Sequence, residues 1–173
     1  KFKISKLTIK NSKYNEMIAK GENLNSLKAK MHNQALKNLK ASFENVTNIF
    51  VDQFVNEDTY YEYLAVDEPL QGITFKPKGE SYYPRVALAS VIARYCLLKE
   101  KMLLEEKYKV SFPFGAGLKV NEFSKKFIDK FGKDEFENKV ITDYLASLNK
   151  NVAVITGASE NTVTVKGGVS YYT

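Results

Sequence analysis

The stretch VTNIFVDQF, residues 46–54, limits the possible architectures more than any other part of the chain. A strand that is apolar on both faces needs cover on both sides, and helix-covered parallel sheets supply it. This strand runs straight into Asp52, a carboxylate whose burial is costly without a partner. A second short run, GITFKPK at 72–78, reads as another strand, with the helical pattern NEDTYYEYLAV between the two. That interval is long enough for a right-handed crossover, so the two strands are expected to be parallel. Asp52 then closes the first strand and Glu80 follows the second. Parallel neighbours place both acids at the C-terminal edge of the sheet, where open α/β folds bind ligands.

The remaining elements fit around that pair. FKISKLTI, residues 2–9, alternates partly and reads as a strand; NSKYNEMIAKGEN is expected to form a short helical turn closed by Gly21. Leu24, Leu27, Met31, Ala35 and Leu39 form one apolar stripe, which predicts an amphipathic helix over 24–40. The long segment 84–108 opens with Pro84, suited to a first helical turn. It is nearly all apolar or small from Val86 to Ala93, interrupted by Ser90 and then Arg94, and should lie against the sheet. SFPFGAGLKV reads as a loop, followed by helices near 120–131 and 134–148. The tail from Asn151 has the composition of a β-hairpin around a GASEN turn.

Composition removes several chemistries. With 173 residues the chain suits one domain, and no apolar run reaches the length of a membrane span or a signal-peptide core. Cys96 is the sole cysteine and reads as a core thiol, so a reducing compartment such as the cytoplasm is expected. His32 is the sole histidine and lies at the edge of the 24–40 stripe, where a packed structural role suits it better than that of a catalytic base. Cys/His zinc sites are excluded by count, and no Gly-rich phosphate loop follows a strand. Carboxylate chemistry with a bound metal remains. The net charge is +6, yet residues 1–40 hold ten lysines against Glu16 and Glu22, a balance of +8 that leaves −2 for the rest. Such a basic third suits either a nucleic-acid partner or a solvated lysine-rich surface.

The motifs KYNEMIAKG, MHNQAL, VDQF, KGES, VALASVIARYCLLKE and FGAGLKV occur in one order over about residues 4–148, and together they resemble bacterial ribonuclease HIII. The resemblance implies an α/β fold of the ribonuclease H type, a mixed sheet flanked by helices, with residues 1–149 as the C-terminal portion of the catalytic domain. It implies an endonuclease that hydrolyses the RNA strand of RNA/DNA hybrids with Mg²⁺ or Mn²⁺ held by four carboxylates. Asp52 and Glu80 map onto two of those catalytic, metal-holding acids. Hard divalent ions prefer oxygen ligands, so no histidine or cysteine is needed. Lys78 and Lys119, and the backbone of Gly115 and Gly117, are the candidate substrate contacts.

The sequence departs from the family in three ways. The other two acids of the family lie in a Gly-rich DE motif that these 173 residues do not contain. The expectation is therefore a fold incomplete on its N-terminal side, with the NIFV strand left with an unpaired edge and activity dependent on a missing N-terminal half. Should a substitute acid lie within the chain, Glu57 and Asp67 are the candidates. Phe114 stands where the family pattern suggests lysine, and residues 150–173 form a divergent tail. A non-catalytic nucleic-acid-binding module on the same fold is the alternative function, and a purely structural interaction domain is a third.

Overall fold

The computed structural model describes residues 3–9, 11–43, 46–65, 68–114, 117–136, 152–156 and 162–167. In chain order the elements are β1 (Lys3–Leu7), α1 (Asn11–Ala19), α2 (Leu24–Lys40), β2 (Asn48–Asp52), α3 (Glu57–Glu62) and β3 (Ile73–Lys76). A 3₁₀ turn (Gly79–Ser81) leads into α4 (Pro84–Tyr108), then α5 (Leu118–Phe131), α6 (Lys133–Glu135), β4 (Val152–Thr156) and β5 (Thr162–Gly167). The expected GASEN turn and most of the helix expected at 134–148 lie outside the described residues.

The five strands form one mixed sheet in the order β1-β4-β5-β2-β3. β2 and β3 are parallel, with Ile49 opposite Ile73 and Asp52 opposite Lys76. On its other side β2 pairs in parallel with β5, Val51 lying opposite Val165. β4 is antiparallel to both β5 and β1. The expected unpaired edge on the NIFV strand is thus not found. The tail supplies a β-branched segment, TVTV, whose propensity suits the open ladder.

Both faces of β2 are covered, as its composition requires. Ile49 and Val51 join the core formed with Ala35, Leu36 and Leu39 of α2 and with Tyr60 of α3. Phe50, on the opposite face by strand alternation, stacks on Tyr83 at the start of α4, ring centroids 4.0 Å apart. Helix α2 starts at a reciprocal cap: the Asn23 side chain accepts from the N–H groups of Asn25 and Ser26, and Ser26 Oγ accepts from Asn23 N–H. Such a cap contributes about 1 kcal/mol. The region read as a short turn is the full helix α1, closed by Gly21 at φ 91°.

Three polar residues of α2, Ser26, His32 and Asn33, are buried. Asn33 Nδ2 donates to Glu68 O (3.3 Å) and its Oδ1 accepts from Leu70 N–H (2.9 Å), fastening α2 to the approach to β3. His32 is fully buried with its ring edge-on to Phe54 at 5.1 Å, and among the described residues neither ring nitrogen has a hydrogen-bond partner. A second core joins the end of α4 to α5 through Leu97, Tyr108, Phe112 and Phe127. Cys96 is buried, and no helix among the described residues is long and apolar enough to cross a membrane.

The enclosed groups make stability testable at two positions. Removing Asn33 leaves the buried Leu70 N–H without its acceptor, so Asn33→Ala should cost about 1–3 kcal/mol in urea unfolding. A cost below experimental error would show that the Leu70 contact carries no stability. Burial, reinforced by the Lys28 charge, lowers the His32 pKa from 6.5 to about 3. The unfolded chain binds a proton at His32 below about pH 6.5 and the folded chain does not, so stability is complete above that pH and is lost as pH falls toward 3. From pH 7.5 to pH 5 the loss should be about 2 kcal/mol, and His32→Leu should lack that component. Identical pH slopes in the two proteins would exclude His32 as its source.

Candidate active site

Asp52 is the last residue of β2, and Glu80 lies in the 3₁₀ turn after β3. The turn between them is built by backbone geometry. Lys78 takes a left-handed conformation at φ 55°, which costs a non-glycine residue about 1 kcal/mol or more. That bend presents Gly79 N–H to Asp52 Oδ1 at 2.8 Å. A Cβ on Gly79 would lie 3.3 Å from Asp52 Cα and 3.5 Å from its Oδ1, so a larger residue there would require the end of β2 to shift by a few tenths of an ångström. Glu80 follows immediately, half-buried, with its Oε2 shielded from solvent. Both residues thus lie at the C-terminal end of the parallel pair β2/β3, with Gly79 bonded to Asp52 and directly preceding Glu80.

Lys28 of α2 also belongs to this region. It is half-buried, and burial lowers its pKa while the charge of Asp52 acts in the opposite direction. Its ammonium group lies 5.6 Å from the centre of the Phe54 ring, two residues beyond Asp52. Lys76, the register partner of Asp52, has its Nζ 4.8 Å from the Tyr82 ring centre.

The other candidate residues are placed differently. Lys78 is exposed in the turn beside Glu80. Gly117 precedes α5 and Lys119 is exposed in its first turn, whereas Gly115 lies outside the described residues. Their loop is not beside Asp52: Phe114 rests against Arg94 and Lys101, well along α4 from Pro84. Glu57 is exposed in the first turn of α3, and Asp67 is outside the described residues. Among the described residues no group of three or more His, Cys, Asp or Glu side chains is placed to hold a metal ion.

The basic N-terminal third is less available than its composition suggests. Lys13 and Lys20 both pair with Glu16, Lys30 pairs with Glu22, and Lys37 lies 3.9 Å from Glu68. Sequence reasoning does not single out Gly79 or Lys28. The available signal for Gly79 is its place directly before Glu80. For Lys28 it is the spacing of one helical turn from His32 on a helix that packs beside β2.

A model of the family described as Ribonuclease HII matches residues 1–145. The chain is 41% identical over 134 residues to Ribonuclease HIII of Bacillus cereus (strain AH187), a match spanning 75% of this chain and 43% of the relative. It is 42% identical over 134 residues to Ribonuclease HIII of Bacillus mycoides (strain KBAB4), with the same coverage. The chain thus spans less than half the length of these curated relatives. Among solved structures it is similar to Bst-RNase HIII in complex with Mn²⁺, with a TM-score of 0.69 and 29% identity over 80% of this chain and 47% of that one. The fold is therefore of the ribonuclease H type. The family match runs through Asp52, Glu80 and all of α4, and the chain belongs to the ribonuclease HII family.

Proposed function

We propose that this chain contributes Asp52 and Glu80 to the divalent-metal site of an endonuclease that hydrolyses the RNA strand of RNA/DNA hybrids in the cytoplasm. The observation that carries this reading is the Gly79 N–H contact to Asp52 Oδ1, with Glu80 the next residue in the same turn. The similarity to relatives named Ribonuclease HIII, and to one solved with Mn²⁺, supports it. In this reading residues 1–149 are the catalytic-domain portion, and residues 150–173 are an added tail whose strands link β1 to β2 within the sheet.

The donor set suits Mg²⁺ or Mn²⁺. Both residues offer carboxylate oxygen, the first choice of hard cations, and no soft ligand competes for the ion. When bound, the metal would supply an activated water and charge stabilisation at the reacting phosphate. Asp52 and Glu80 would hold it. Gly79 fixes the orientation of Asp52, and Lys28 balances its charge from the side of α2. Lys78, Lys119 and the backbone of Gly115 and Gly117 would meet phosphates of the hybrid, positioning the duplex without reading its sequence. Two carboxylates are too few to hold a two-ion centre, so cleavage requires further acids, supplied by the remainder of a longer catalytic domain.

The chain alone should bind Mn²⁺ weakly in calorimetric titration, and Asp52→Asn or Glu80→Gln should each abolish that binding. It should leave a labelled RNA/DNA hybrid intact in both Mg²⁺ and Mn²⁺. Mn²⁺ affinity indifferent to both substitutions would overturn the assignment. Cleavage that Asp52→Asn abolishes would show instead that the remaining acids lie within these 173 residues. A separate prediction concerns the turn. Lys78→Gly relieves the left-handed strain and should raise stability by about 1 kcal/mol. It should also weaken hybrid binding similarly for all sequences; unchanged binding would remove Lys78 from the contact surface.

A further inference from the structure

Four lysines among the described residues are half-buried: Lys28, Lys30, Lys37 and Lys101. Three of them have a carboxylate beside them: Lys30 pairs with Glu22, Lys101 with Glu105, and Lys37 lies 3.9 Å from Glu68. Lys28 is the exception. Among the described residues its ammonium makes no hydrogen bond and no ion pair, although the charge of Asp52 is near enough to act on it. Taking an ammonium group partly out of water without an anionic partner is costly, so the partner is to be sought in a ligand.

Packing fixes where this charge stands. The Lys28 ammonium lies 5.6 Å from the ring centre of Phe54, two residues beyond the end of β2 at Asp52. One helical turn later, the buried His32 sets its ring edge-on to the same Phe54 at 5.1 Å. Phe54 itself packs against the core that α2 shares with β2. Helix α2 thus carries Lys28 to the C-terminal end of β2, the end that also bears Asp52 and, through the Gly79 turn, Glu80.

We propose that Lys28 is a substrate-binding residue whose ammonium holds a backbone phosphate of the nucleic acid at the Asp52–Glu80 carboxylates. The proposal rests on the nucleic-acid reading of that site and names the group that meets the reacting strand from the side of α2. The sign of the charge selects the ligand. A fixed cation beside two carboxylates repels a divalent metal, so Lys28 opposes metal binding and does not serve it. It attracts an anion instead, and the anion that hydrolysis of a nucleic-acid strand brings to the carboxylates is a phosphodiester. Lysine suits this task. Its compact point charge on a flexible stem can follow a phosphate oxygen without the fixed planar geometry of arginine. Like other phosphate contacts, this one positions the strand without reading its bases.

Lys28→Met keeps the stem and removes the charge. In calorimetric titration the variant should bind Mn²⁺ at least as tightly as the unsubstituted chain. In anisotropy measurements with Mn²⁺ present, its affinity for a labelled RNA/DNA hybrid should fall about tenfold, and the slope of log Kd against log salt should drop by about one. Its urea midpoint should be unchanged or higher, because a half-buried charge has gone. Lys28→Gln should give the same pattern. The deciding measurement is a scan of hybrids whose RNA strand carries one 2′-deoxy nucleotide followed by an uncharged methylphosphonate linkage. Each is compared with the same deoxy nucleotide followed by a normal phosphate. One position should weaken binding to the unsubstituted chain about tenfold and leave binding to the Lys28→Met chain unchanged. A scan in which every position weakens both chains alike would overturn the proposal. Weaker Mn²⁺ binding by both variants together with lower urea midpoints would also overturn it, marking Lys28 as a structural support of β2. Failure of the unsubstituted chain to bind any hybrid would instead defeat the reading of the Asp52–Glu80 site on which the proposal rests.

Discussion

A strand with no polar face and no free edge has to lie inside a sandwich, and β2 imposes that condition on the whole molecule. Ile49 and Val51 need α2 and α3 on one side; Phe50 needs the start of α4 on the other. Its backbone groups need partners on two edges, which β3 and β5 supply. Once these are met, the end of the strand is fixed to within a hydrogen bond. Asp52 then has little freedom, because Gly79 N–H holds one of its oxygens and the Gly79 backbone packs against its Cα. The site is accordingly a consequence of how β2 is buried, with the carboxylate as the first polar group beyond the apolar run.

Much of this was legible in the residues. The apolar VTNIFV run, the crossover length to GITFKPK and the stripe of 24–40 each carry a periodicity that a single physical rule converts into an element. The parallel pairing of β2 and β3, and with it the joint position of Asp52 and the Glu80 turn, follows from that crossover. The pairing of β5 with β2 was not legible. It links residues more than a hundred positions apart, and nothing in TVTV specifies which ladder it joins. The Lys78 turn was hidden for a related reason: a lysine carries no local sign that its backbone must be left-handed. Composition also overstated the basic N-terminal third, because only the folded helices show that Lys13, Lys20 and Lys30 have carboxylate partners.

Electrostatically, the molecule separates charge that is consumed by the fold from charge that remains available. Exposed pairs such as Lys13–Glu16 contribute little to stability, yet they remove cations from any phosphate-binding surface. Lys28 is a different case. It is half-buried, and burial lowers its pKa against the opposing charge of Asp52.

Helix α4 connects these parts. Its first turn abuts the carboxylates through Tyr83 and the Gly79–Ser81 turn, its middle carries Arg94, and its last turns carry Lys101 and Glu105, which fasten the Phe114 loop. A helix transmits position rigidly because every residue adds a fixed rise. The distance between the Asp52–Glu80 end and Arg94 is therefore set by sequence spacing along one element. Glu105 ties the segment after α4 to that rigid element by accepting from Phe112 N–H and Ser111 Oγ, so the ordering of residues 111–112 is part of the fold itself.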